Sequence, residues 1–156
     1  MTQEKKIEKL KSLIEHIEEV QKNCQKLGFK LIEQNEFELG KRLIANSFLH
    51  DQSKFHGLEW LHLTKPDEED DLIAVAIQSH TVANFHHPEA WDGVKNMPPV
   101  FLAELVCDWK ARSSELGNDI KDWIETAAFK KFHFSRRDKV YRDVMRFVNL
   151  LLEPTL

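Results

Sequence analysis

Apolar residues recur at intervals of three and four along the first part of the chain, and this spacing constrains the fold more than any other feature. It places the apolar side chains on one face of an α-helix and excludes the alternation of a strand. Gly28 costs this helix roughly 1 kcal/mol relative to alanine and is a candidate kink. The stripe suits packing within one domain and pairing in a homodimer equally well. Its residues are Leu10, Leu13, Ile17, Val20, Cys24, Leu27 and Leu31.

The rest of the chain continues this helical pattern between a few breaks. Asp67 is the expected N-cap of a helix that carries Ile77 on its buried face, and Pro88 is expected to end that helix near His86 or His87. With only 5 Gly and 5 Pro, the chain is poor in the turns that a β-fold needs. The sequence therefore predicts an all-α bundle of five to seven helices in a single domain, residues 1–156. After the first helix, we expect helices over about 36–54, 67–86, 98–114, 119–131 and 135–152.

Composition narrows the class of protein. The 156 residues fit one domain, and 42% hydrophobic with 31% charged residues allow a buried core. A net charge of −4 makes nucleic acid an unfavourable general partner. Cys24 and Cys107 lie in predicted amphipathic helices, where we expect buried, reduced thiols. No signal peptide and no apolar run of ~20 residues is visible, so we expect no membrane partner and a cytoplasmic location.

Several histidines and aspartates stand on helix faces that should be buried. His50 and Asp51 continue the apolar line of the second predicted helix, His80 that of the third and Asp108 that of the fourth. His16 lies at the margin of the first stripe. A buried carboxylate without a partner costs several kcal/mol, so these residues need one another or a shared metal ion. Imidazole and carboxylate without thiolate suit Mn, Fe, Co, Ni or Zn, with Mg where carboxylates dominate.

The order of these residues resembles the HD superfamily of metal-dependent phosphohydrolases. His16, the His50-Asp51 pair and Asp108 match the His…His-Asp…Asp pattern of that superfamily, over about residues 10–115. The resemblance implies an HD-domain-like helical bundle in which these four residues hold a divalent ion. It also implies hydrolysis of a small phosphorylated molecule, and we expect a nucleotide.

The middle of the chain resembles the superfamily branch that degrades cyclic dinucleotides, in which extra histidines bind a second metal ion. The resemblance implies that Asp51 bridges two ions and that His80, with His86 or His87, holds the second. The Gly-Tyr-Pro signature of that branch is absent, because residues 94–98 read Val-Lys-Asn-Met-Pro, so a cyclic dinucleotide is not implied as substrate. The matching positions are Asp51, Lys54, His80, His86, His87, Glu89, Asp92 and Gly93.

Three segments also resemble a small, uncharacterised family of bacterial and phage proteins with little assigned chemistry. They read His-Asp-Gln-Ser-Lys-Phe at 50–55, Asn-Phe-His-His-Pro-Glu at 84–89 and Asp-Trp at 108–109. Two alternatives to the hydrolase fit the same residues. One is a di-iron oxidase on the same scaffold, and the other is a non-enzymatic binding module, with or without a stabilising metal.

Candidate substrate contacts lie beside the predicted ligands. Lys54, one turn after His50, suits either a phosphate oxygen or an ion pair with an acid, and we place it with Asp51 in the catalytic set. Arg112 shares the helix face of Asp108, and Trp91 lies in the loop beside the histidines, where it could stack on a base. Glu59 is a candidate for positioning water. Residues 130–146 carry a net charge of +5 against −9 for the remaining chain, which could steer an anion.

Overall fold

The computed structural model describes residues 2–63 and 70–154, and every regular element in those ranges is helical. A π-helical segment, Ile124–Ala128, joins α6 to α7, and counting that run as one helix gives seven. The predicted all-α class and helix number are therefore confirmed. No helix in the described ranges is both long and apolar enough to cross a membrane. The elements are α1 (Gln3–Glu33), α2 (Phe37–Ser47), α3 (Gly57–Leu63), α4 (Asp70–Ala83), α5 (Pro99–Glu115), α6 (Ile120–Trp123), α7 (Phe129–Phe132) and α8 (Lys139–Leu152), with 3₁₀ turns at Gln52–Phe55, Pro88–Trp91 and Val94–Asn96.

The core lies between α1, α2, α5 and α8. The apolar stripe of α1 packs within the domain, because Val20, Leu27 and Leu31 have no exposed surface and α1 contacts both α2 and α5. Each such side chain contributes about 1.5–3 kcal/mol when it is fully buried. Cys24 and Cys107 are buried free thiols, as predicted.

Two glycines let α1 and α2 approach closely. A methyl group on Gly28 would lie 2.9 Å from the carbonyl oxygen of Gly40, and one on Gly40 would overlap the carbonyl of Gly28. Only hydrogen fits at either position, and α1 continues through Gly28 to Glu33. This crossing fixes α2 against α1, so the chain leaving α2 runs back toward the first half of α1.

The second helix is shorter than the sequence predicts. It ends at Ser47 instead of about residue 54, and the Ser47 hydroxyl donates a hydrogen bond to the Ile44 carbonyl at 2.6 Å. His50 and Asp51 therefore lie in a turn, and Asp51 adopts a left-handed backbone with φ of 55°. Aspartate is one of the few residues with a side chain that adopts this conformation readily. The helical spacing correctly predicted burial of this pair but not its backbone.

The helix that carries His80 also differs from the prediction. It ends at Ala83, before His86, because the side-chain amide of Asn84 donates to the carbonyl of His80 at 2.8 Å. Ile77, expected on the buried face, is 49% exposed. The reason is that α4 packs chiefly against α3 and the Pro88–Trp91 turn, which leaves only a narrow buried face. The expected N-cap, Asp67, lies outside the described residues.

Candidate metal centre

All seven ligands predicted from the sequence lie in one cluster, and five of them are buried. Two members, His50 and Asp51, are only 1% exposed. The cluster contains three overlapping groups of possible ligands in which one atom per residue lies within 4.8 Å of the others. The members are His16 from α1, His50 and Asp51 from the turn after α2, His80 from α4, His86 and His87 from the turn after α4, and Asp108 from α5.

Asp51 occupies the centre, and its two oxygens face different histidines. Oδ1 lies 3.2 Å from Nε2 of His80 and 3.4 Å from Nε2 of His86. Oδ2 lies 3.6 Å from Nε2 of His50 and 4.0 Å from Nε2 of His16. Two ligand atoms about 2.1 Å from one ion stand about 3.0–3.4 Å apart, so the Oδ1 contacts already have ligand spacing and the Oδ2 contacts are slightly wider.

Two of the three groups share Asp51, and the third consists of His50, His86 and Asp108. We call His16, His50 and Asp51 the first group, and Asp51, His80, His86 and His87 the second group. In the second group, Nε2 of His87 lies 2.9 Å from Nε2 of His80. Asp108 contacts the first group, with Oδ1 3.1 Å from Nε2 of His16, and its Oδ2 lies 3.9 Å from Nε2 of His86. The arrangement can accept two ions with Asp51 between them.

Glutamates orient the histidines from behind, and sequence reasoning missed this role. A carboxylate only accepts hydrogen bonds, so each Nδ1 that faces one carries a proton. Nε2 of each ring then faces the cluster and is the atom that a metal ion would bind. A residue spacing of four or seven from Asp108 would have identified two of these acids on α5. The pairs are His16 Nδ1 with Glu115 Oε1 at 2.5 Å, His50 Nδ1 with Glu104 Oε1 at 3.0 Å, and His80 Nδ1 with Glu59 Oε2 at 2.7 Å.

Three buried atoms in the cluster have no hydrogen-bond partner. They are Nε2 of His50, Nε2 of His86 and Oδ1 of Asp51. An unsatisfied buried polar atom costs about 1–3 kcal/mol, and lone pairs that face one another gain nothing from their proximity. A cation among them would satisfy all three atoms. The donor set, nitrogen and carboxylate oxygen without thiolate, matches first-row divalent metals.

The pKa shifts of the histidines in the first group also show that positive charge is favoured there. Burial lowers the pKa of His16, but its hydrogen bond with Asp108 and the charge of Asp108 outweigh burial and raise the pKa. Burial is likewise outweighed at His50 by Glu104 and Asp51, so its pKa is raised. The hydrogen bond with His16 lowers the pKa of the Asp108 carboxyl despite its burial. Protons and metal ions therefore compete for the same Nε2 atoms.

His87 behaves differently from the first group. Burial, reinforced by the neighbouring His86 and His80, lowers its pKa to about 3. Its imidazole is thus neutral at physiological pH and has a lone pair available for a metal ion. At Asp51, burial opposes ionisation, but the close imidazoles of His80 and His86, with the charge of Lys54, lower the pKa of its carboxyl well below the usual value.

Of the predicted substrate contacts, Lys54 and Arg112 lie beside this cluster, whereas Trp91 contacts Phe85 and Phe101. Nζ of Lys54, 21% exposed, lies 2.6 Å from Oδ2 of Asp51. Arg112 is 54% exposed and pairs at 2.7 Å with Glu115, which orients His16. The indole of Trp91 donates to the Phe85 carbonyl at 2.7 Å, and its ring packs against Phe85.

The C-terminal end of the basic segment 130–146 lies far from the cluster. Arg146 pairs with Glu36, which follows the C-terminal end of α1. The rise of α1 puts that end about 25 Å from His16. Arg136 and Lys139 are also paired, with Glu125 and Asp143.

Together, the fold and the cluster define an all-α protein with a buried His/Asp/Glu centre that could hold a metal ion. The sequence profile of the Family of unknown function (DUF5662) matches residues 5–152, so the chain belongs to this family. A search of curated proteins and a search of solved structures each returned no match.

Proposed function

We propose that the protein is a metal-dependent phosphoester hydrolase with two divalent ions that share Asp51. Its substrate is a small phosphorylated molecule, and nucleotides are the first class to test. The observation that carries the proposal is the position of Asp51, whose two oxygens face two separate sets of imidazole nitrogens. The resemblance to the HD superfamily supports the choice of phosphoester chemistry.

Each ion has a defined set of ligands in this proposal. His16, His50, Asp51 and Asp108 hold the first ion. Asp51, His80, His86 and His87 hold the second. When bound, the ions acidify water and neutralise charge that develops on the phosphoryl oxygens. The glutamates behind His16, His50 and His80 keep each imidazole in the tautomer that presents Nε2.

Lys54 supplies the substrate contact closest to the ions. Its ammonium contacts Asp51 and still reaches solvent, so it can bind a phosphoryl oxygen without leaving the cluster. Arg112 is more exposed and pairs with Glu115, which places a second cation beside His16. Lys54 therefore binds the reacting phosphoryl group, and Arg112 attracts the anionic substrate.

The test combines metal content with turnover. Protein purified without chelator or affinity histidines should contain close to two equivalents of Mn, Fe, Co, Ni or Zn by elemental analysis. The Mn²⁺-loaded protein is then assayed with bis(p-nitrophenyl) phosphate and a panel of nucleotides. Lys54→Met should retain the ions and lose about tenfold or more in turnover. His133→Asn is the matched control, because this exposed histidine has a left-handed backbone that asparagine also adopts.

The outcomes separate the proposal from its alternatives. Two bound ions without turnover of any phosphoester would favour a metal-stabilised binding module. Two irons with a mixed-valence spectrum and no hydrolysis would favour a di-iron oxidase. Full turnover in Lys54→Met would remove Lys54 from the catalytic set.

A further inference from the structure

Glu104 contacts both halves of the candidate metal centre. Its Oε1 atom accepts a hydrogen bond from Nδ1 of His50 at 3.0 Å and lies 3.5 Å from Nδ1 of His86. His50 belongs to the first group and His86 to the second, and the third group of possible ligands joins these two histidines with Asp108. The same two histidines present the Nε2 atoms that have no hydrogen-bond partner. One carboxylate oxygen thus lies behind both unsatisfied nitrogens.

The carboxylate is fixed in place by its surroundings. Glu104 is 4% exposed, and its other oxygen, Oε2, accepts from the side-chain amide of Asn46 at 3.2 Å. It stands one turn before Asp108 on α5, so the helix that provides a ligand also provides this support. The rings of His50 and His86 lie 4.2 Å apart. A change in orientation of one ring therefore affects the other through contact and through Glu104.

The other two supporting glutamates each serve one group. Glu115 contacts His16 in the first group, and Glu59 contacts His80 in the second. Glu59 also accepts from the hydroxyl of Ser53 at 3.0 Å, which holds it beside His80. The chain therefore contains natural controls for a carboxylate that serves both groups.

We propose that Glu104 is a positioning residue that couples the two ion sites. With an ion on Nε2, the ring of His50 would become a stronger Nδ1–H donor, and its hydrogen bond would hold the Glu104 carboxylate more tightly. The fixed oxygen then holds the ring of His86 with Nε2 directed toward the second ion. Binding of one ion would therefore favour binding of the other, and by reciprocity the factor would be the same in both directions. This inference rests on the proposed metal centre and not on the reaction that the centre performs.

The experiment compares three glutamate-to-glutamine variants by calorimetric titration of the metal-free protein with Mn²⁺. Glu115→Gln should weaken one of two binding events by about 10–100-fold, and Glu59→Gln should weaken the other by a similar factor. Glu104→Gln should weaken both events and abolish their cooperativity. Glu104→Asp keeps the charge but withdraws the carboxylate from both rings, so it should weaken both events less. This variant tests the proposal even if the glutamine variant does not fold, and circular dichroism of each metal-free variant checks the fold.

Each result decides a different point. If Glu104→Gln weakens one event only, or neither, Glu104 does not couple the sites while the metal centre stands. If the wild-type protein binds no Mn²⁺, both the centre and the coupling are overturned. If both ions bind with the expected pattern but no phosphoester is hydrolysed, the coupling is upheld and the proposed reaction alone fails.

Discussion

Replacing Asp51 with asparagine removes the carboxylate that both ion groups share and changes little else. Asparagine has nearly the same shape and also adopts the left-handed backbone found at this position. In the metal-free protein the variant loses the ionised partner of Lys54, His80 and His86. Breaking a buried pair costs about 3–5 kcal/mol, and the lower end applies because Lys54 can turn toward solvent.

The larger effect should appear when metal is added. At a free ion concentration 100 times the dissociation constant, each site stabilises the fold by about 2.7 kcal/mol, so two sites contribute about 5 kcal/mol. For a chain of this size, that corresponds to a rise in Tm of about 10–20 °C. Asp51→Asn should show almost none of this rise, because both groups lose the carboxylate that they share.

The assay is thermal unfolding followed by circular dichroism, with EDTA or with excess Mn²⁺. The wild-type protein and His133→Asn should both gain Tm on addition of Mn²⁺, while Asp51→Asn should not. A full Mn²⁺-dependent rise in Asp51→Asn would refute the role of Asp51 as the shared ligand. A rise of half the wild-type size would show that one ion binds without it.

Three further outcomes follow from the structure. The pKa of His16 and of His50 is raised in the folded metal-free protein, so their stabilisation is complete below about pH 6.5 and is lost as pH rises through the folded pKa. Because the pKa of His87 is lowered in the folded protein, acid below pH 6.5 protonates this residue only in the unfolded form and so lowers stability. The Tm measured in EDTA should therefore be highest near pH 6.5 and should fall on both sides. Gly40→Ala should lower the free energy of unfolding, measured in urea, by about 1–3 kcal/mol. The cost of the clash between the added methyl group and the α1 backbone exceeds the gain in helix propensity. An unchanged urea midpoint would contradict that contact. The two cysteines should react with a maleimide only in denaturant, since both are fully buried, and rapid labelling of the native protein would count against that burial.

Much of the cluster was predictable from sequence because buried helical faces tolerate few polar residues. Asp108 follows an apolar line on α5, and the structure buries it beside His16, the residue that the periodicity left at a stripe margin. The helix predicted over 36–54 directed His50 and Asp51 inward, although the turn that does so is not helical. The spacing of apolar residues records which side of the chain is buried, even where the backbone departs from a helix.

Other features depended on contacts between distant segments. From the sequence, Gly28 indicated only a cost in helix propensity and a candidate kink. In the structure, its missing side chain allows the backbone at Gly40 to approach α1 closely. Glu59 and Glu104 support histidines that are 21 and 54 positions away in sequence, and no local pattern reports such pairing. The narrow buried face of α4 likewise reflects how few neighbours it has, which explains the exposure of Ile77.

The sparse packing of α3 and α4 would give an ion in the second group a structural role as well. These helices contact each other and the neighbouring 3₁₀ turns, and His80 on α4 joins them to the rest of the cluster through its contact with Asp51. An ion held by both His80 and Asp51 would link α3 and α4 to the rest of the helical bundle. Removing it should let these helices open while the core stays folded, so amide hydrogens in α3 and α4 would exchange first. Binding of an ion in the second group would then determine how readily α3 and α4 move away from the cluster.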